Sequence, residues 1–177
     1  MSVQTLPLKR PKAPKIIARQ EDVISVREFR KRARQGENMG LVYADIELIN
    51  SDDLAFFRRG AIAENKIKRV TITALVDSGA EMLCINEQIK KKLDLPTLER
   101  YTAQLADESE IEVEVVGPID VIFENRSTTV RALVMPQNAE VLLGAIPMEG
   151  MDVVIELKAE RLVVNPKNPY IPSKYVK

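Results

Sequence analysis

Apolar residues alternate with polar ones over Val42-Tyr-Ala-Asp-Ile-Glu-Leu-Ile49. Val42, Ala44, Ile46 and Leu48 share one face, with Asp45 and Glu47 opposite. This period of two predicts a half-buried strand. Asn50-Ser51-Asp52-Asp53 breaks the pattern and can cap a helix from Leu54 to about Glu64. Lys68 to Val76 predicts a second strand, with Val70, Ile72, Ala74 and Val76 on one face and Thr71, Thr73 and Leu75 on the other. Asn86 then caps a helix in which Ile85, Ile89 and Leu93 recur four apart, and Pro96 ends it. From Arg100 the strand pattern returns. Glu110 to Val115 alternates strictly, and Ile119 to Phe123 and Thr128 to Val134 flank a turn-rich Glu124-Asn125-Arg126-Ser127, as in a hairpin. Val141 to Gly144 reads as a short buried strand. Val153 to Leu157 and Arg161 to Val164 read as a last hairpin, followed by a proline-interrupted, extended tail. Six to eight short strands with one or two short helices predict a mainly-β fold, a small closed or partly closed barrel and not a βαβ sheet.

The chain before Gly40 has a different texture. In residues 1–24, Pro7, Pro11 and Pro14 alternate with Lys and Arg, which predicts a flexible arm. Ser25 can cap a helix over Val26–Gln35, with Glu28 in the capping-box position and Gly36 as the stop. Its apolar stripe of Val26, Phe29 and Ala33 is thin, so a solvated basic helix is expected. A partner- or nucleic-acid-binding arm is the alternative, and Met39 offers a third reading as the start of the chain. The expected organisation is a basic arm over 1–39, a folded domain over 40–166 and an extended tail over 167–177. Charge divides the same way. Residues 1–39 hold ten basic and four acidic residues, a net of +6; the remainder holds 16 basic and 22 acidic, a net of −6.

Composition narrows the chemistry. The 177 residues are 45% hydrophobic and 29% charged, as in a globular domain. No apolar run approaches the ~20 residues that cross a membrane, and none resembles the core of a signal peptide. A single cysteine, Cys84, cannot form an internal disulfide, which fits a reducing, cytoplasmic location. There is no histidine, which removes Ser–His and Cys–His nucleophilic catalysis and histidine metal sites. No metal and no cofactor is expected. Carboxylates are left as the main reactive groups. Cys84 is expected to be a small buried residue, Glu110, Glu112 and Glu114 a solvated strand face, and Lys90-Lys91-Lys92 an exposed helix face.

Asp77-Ser78-Gly79-Ala80 directly follows the second strand. A carboxylate delivered at the end of an apolar strand, followed by a hydroxyl and a glycine that permits close backbone approach, suits an aspartic peptidase. Asp-Ser-Gly is also ordinary turn chemistry. A second apolar segment with its own glycine, Leu142-Leu143-Gly144, follows 65 positions later. With Ala74-Leu75-Val76 before the aspartate and the strand pattern between, the chain resembles the retropepsin-like (clan AA) aspartic proteases, in particular their short bacterial single-domain members, over about residues 40–166. The resemblance implies an acid-protease barrel and an aspartic-type endopeptidase, a hydrolase. Asp77 is then the catalytic residue, Ser78 hydrogen-bonds across a dimer, and Gly79 and Ala80 shape the loop and bind substrate backbone. Leu105, Ala106, Asp107, Glu108 and Ser109 belong to the substrate-covering flap, and Leu142, Leu143 and Gly144 to the core strand beside the site.

Such a mechanism needs two carboxylates sharing one proton about 3 Å apart, one activating water while the other protonates the scissile carbonyl. The chain contributes one, so a homodimer acting on a peptide or protein is implied, with nucleic acid engaged only through the basic arm, residues 1–38, and no membrane partner. Departures from the family pattern are Ser78 in place of the commoner Thr, a flap without glycine, Ala145 where viral members carry arginine, and a longer segment over residues 50–67. They leave an alternative reading: a catalytically weak or inactive dimerisation or peptide-binding module with a basic arm.

Overall fold

The computed structural model describes residues 23–35, 40–104, 110–136 and 139–173. Among these are ten strands and four α-helices: β1 Val23–Ser25, α1 Val26–Arg34, β2 Tyr43–Asn50, α2 Ser51–Arg58, β3 Arg69–Val76, β4 Leu83–Asn86, α3 Glu87–Leu93, β5 Thr97–Gln104, β6 Glu110–Phe123, β7 Arg126–Met135, β8 Leu142–Leu143, α4 Ala145–Met151, β9 Val153–Glu156 and β10 Arg161–Val164. Six strands close into a barrel. β2 pairs antiparallel with β3, β3 parallel with β8, β8 antiparallel with β4, β4 parallel with β7, β7 antiparallel with β6, and β6 returns to β2. The predicted barrel is present, with four short α-helices among the described residues where one or two were expected.

Residues at alternate positions fill the barrel as the pattern dictates. Ala44, Ile46 and Leu48 of β2, Ala74 and Val76 of β3 and Leu83 and Ile85 of β4 all enter one core. Asn50 ends β2 and starts α2: its Oδ1 accepts the amides of Asp52 (2.9 Å) and Asp53 (3.1 Å). Its Nδ2 donates to the carbonyl of Leu93 at 2.9 Å, tying this corner to the end of α3. The helix expected over Leu54 to Glu64 is therefore displaced. Capping from Asn50 starts it at Ser51, and it stops at Arg58. Asn86 caps α3 as expected, its Oδ1 accepting the Ile89 amide at 3.1 Å. The two strand segments expected on either side of Gly117-Pro118 form one strand, β6, whose pairing with β7 shifts register between Val116 and Ile119.

The helix expected over Val26–Gln35 forms, but it is not solvated on every side. Val26 and Phe29 are buried in the main core, against α4 and β9. Local sequence underrated them because two residues three apart make a narrow stripe. β1 supplies what the stripe lacks: it pairs antiparallel with β9, Ile24 opposite Ile155, and sets the helix down on the barrel. The Ser25 hydroxyl accepts the Glu28 amide at 3.1 Å, as a capping residue should. Within the segment expected as a basic arm, residues 23–34 thus pack on the folded body, and residues 1–22 lie outside the described residues. No helix among the described residues is long and apolar enough to cross a membrane.

The acidic strand face is less solvated than expected at one position. Glu114 hydrogen-bonds Lys90 and accepts from Thr97 Oγ1 at 3.2 Å, and Arg100 lies 3.0 Å away. Lys90 is accordingly half-buried, whereas Lys91 and Lys92 are exposed. The Lys90 bond, opposed by burial and aided by its charge, holds the Glu114 carboxyl below its ordinary 4.5. A depressed folded value means that the contribution is complete above the ordinary pKa and is lost as pH falls through the folded one. Glu114→Gln should therefore lower the thermal midpoint most near neutrality, with the gap to the parent closing below about pH 4.5. A constant gap from about pH 3 to 7 would rule out this pairing as an acid-sensitive element.

Candidate active site

β3 runs into the barrel between β2 and β8 and stops at Val76, so Asp77 is the first residue past its end. Both neighbours hold that end. The Val76 amide donates to the carbonyl of Val42 at 2.8 Å, the Leu75 amide to that of Val141 at 2.8 Å, and the Asp77 amide to that of Leu143 at 3.1 Å. The backbone on either side of the carboxylate is thus fixed by strands far apart in sequence. The Gly79 amide donates to Asp77 Oδ1 at 2.7 Å, a turn closed by the side chain itself. A Cβ at position 79 would stand 2.9 Å from the same oxygen, so a glycine is what this approach needs.

Gly144 brings the second segment against the first. A Cβ there would fall 2.2 Å from the Met82 carbonyl oxygen. Beyond it, the Ala145 amide donates to the carbonyl of Ala80 and the Ile146 amide to that of Glu81, both at 2.9 Å. The chain leaving Asp77 is thereby bound to the start of α4. The structure brings the segment Asp77, Ser78, Gly79, Ala80 next to Leu142, Leu143 and Gly144. Leu105, Ala106, Asp107, Glu108 and Ser109, expected to form the flap, lie outside the described residues.

Residues 63–147 match the model of the family described as gag-polyprotein putative aspartyl protease. That family is one of retropepsin-like aspartyl proteases. No curated protein matches the chain. The matched stretch runs from before β3 into α4 and contains both glycine-bearing segments.

Cys84 is 5% exposed, and burial, with a smaller effect from the Asp77 charge, raises its thiol pKa. A thiolate is disfavoured there, as expected of a packing residue. Among the described residues no cluster of acidic or cysteine side chains could hold a metal ion. Ser78 is buried, only 2% exposed. Next to the site, an open groove of about 440 Å³ is walled by Met82, Leu83, Pro118, Val130, Ile146 and Pro147, with Thr129 and Arg131 as its polar members. Sequence periodicity had no means of finding this groove, because its walls come from β4, β6, β7 and α4.

Proposed function

We propose that the protein is an aspartic endopeptidase, hydrolysing peptide bonds through a water activated between Asp77 and the Asp77 of a second copy. The observation that carries this reading is the mounting of Asp77. A single carboxylate stands at the mouth of a closed barrel, its amide held by Leu143 and its Oδ1 by Gly79. That loop belongs to a segment matched by an aspartyl protease family. One carboxylate cannot both accept a proton from water and deliver one to the carbonyl, so the chemistry requires two copies.

In the homodimer the two carboxylates would share one proton, which sets an acidic working range. Peptide enters extended, with backbone toward the Gly79–Ala80 loop, and the groove beyond Met82 suits an apolar side chain. The test is turnover of a mixed peptide library between about pH 4 and 7, beside sedimentation of the same sample. Cleavage whose specific rate rises with protein concentration until the dimer saturates is expected. A chain that stays monomeric at high concentration, or a dimer that cuts nothing across that range, would overturn the proposal.

A further inference from the structure

The geometry points to Arg30 of α1 as a positioning residue for the chain leaving the active-site aspartate, acting through Glu81; this rests on the peptidase reading above. Arg30 Nη2 lies 3.8 Å from Glu81 Oε1, four residues past Asp77. An ion pair at that distance on an exposed surface ordinarily contributes little. Two features set this one apart. The Arg30 side chain is 28% exposed, and its Nε is buried with no hydrogen-bond partner among the described residues. The helix carrying it is anchored, because Val26 and Phe29 are in the core. One end of the pair is thus fixed and partly desolvated, with a donor unused.

Glu81 is the movable end, its side chain 73% exposed. A small rotation would place its carboxylate across both Nε and Nη2, the two-pronged arrangement that a guanidinium favours. Its backbone is already engaged: the carbonyls of Ala80 and Glu81 accept the amides of Ala145 and Ile146. The segment Ala80–Met82 is therefore held by α4 on its backbone and by α1 on its side chain. Other cations of α1 are placed differently, Arg32 pairing with Glu28 on its own helix and Arg27 and Lys31 being exposed. A helix remote in sequence from the site thus contacts the bend that leads from Asp77 to β4. A loop held in place before substrate arrives costs less to order on binding, so its loss shows in KM.

Arg30→Met keeps the apolar stem and removes the charge. Hydrogen exchange on the whole protein should then quicken by roughly tenfold at the Ala145 and Ile146 amides and across residues 80–82, with β6 and β7 unchanged. KM for a cleaved peptide should rise about three- to tenfold, with kcat moving less. Arg30→Lys should recover most of both effects, and Arg32→Met should produce neither. Glu81→Gln, at an exposed position that does not endanger folding, should reproduce them, and the double variant should be no worse than either single one. Exchange and KM within about twofold of the parent in Arg30→Met and Glu81→Gln, or no rescue by lysine, would overturn the inference. If the parent cuts no peptide, the peptidase reading fails, while the exchange comparison still decides the role of Arg30.

Discussion

Asp77→Asn is expected to lower peptide turnover by a factor of about 10³ or more while leaving the fold and the dimer intact. The asparagine side chain has the shape of the carboxyl group, and its Oδ1 can still accept the Gly79 amide now bonded to Asp77 at 2.7 Å. The loop therefore has no reason to open. What is lost is the ionisable oxygen that takes a proton from water. The half-site character of the loop makes a sharper expectation. When a roughly ninefold excess of the inactive chain is mixed with the parent and allowed to exchange, most parent chains enter mixed pairs with one carboxylate. Activity per parent chain should fall about tenfold. Equal turnover by parent and Asp77→Asn, or a mixture that retains the full activity of its parent chains, would defeat the dyad.

Gly144→Ala is expected to cost about 3 kcal/mol or more of stability, read as a fall of roughly 6–12 °C in thermal midpoint. The added Cβ would meet the Met82 carbonyl oxygen at 2.2 Å, with the carbonyl carbons of Met82 and Glu81 at 2.7 and 2.8 Å. All three are backbone atoms and cannot swing aside as a side chain could. Relief requires α4 and the chain leaving Asp77 to separate, which stretches the Ala145 and Ile146 hydrogen bonds. Gly60→Ala provides the contrast. No atom lies within 4 Å of its added Cβ, so its cost comes only from the strained φ of +72°. A Gly144→Ala midpoint within a degree or two of the parent would show that the two segments are not in rigid contact.

Alternation made most of the barrel legible in the sequence. β2, β3, β6, β7, β9 and β10 lie close to where the period-two runs fall, since a strand between core and solvent must place apolar residues on one side. Asn86 announced α3 because a cap is a local interaction, three residues in reach. Local signals failed where a distant partner decides. Asn50 starts α2 three residues early and also holds the Leu93 carbonyl, a contact 43 residues away that no window of sequence contains. β1 is three residues long and exists because β9 accepts it as a neighbour.

The same division runs through the site. The sequence by itself determined the chemical type: no histidine, a lone cysteine, and one aspartate at the end of an apolar strand, followed by a hydroxyl and a glycine. It also marked Leu142-Leu143-Gly144 as a second element, because an apolar run closing on glycine is visible without a fold. Only the tertiary structure decided that the two touch, with Leu143 holding the Asp77 amide and Gly144 pressed against Met82. It alone brought Arg30, part of a segment read as a solvated helix, to Glu81 beside the site. The physical reason is one of range. Side-chain chemistry and strand periodicity are written within a few residues, whereas a parallel pairing such as β3 with β8 depends on chain closure across dozens of residues.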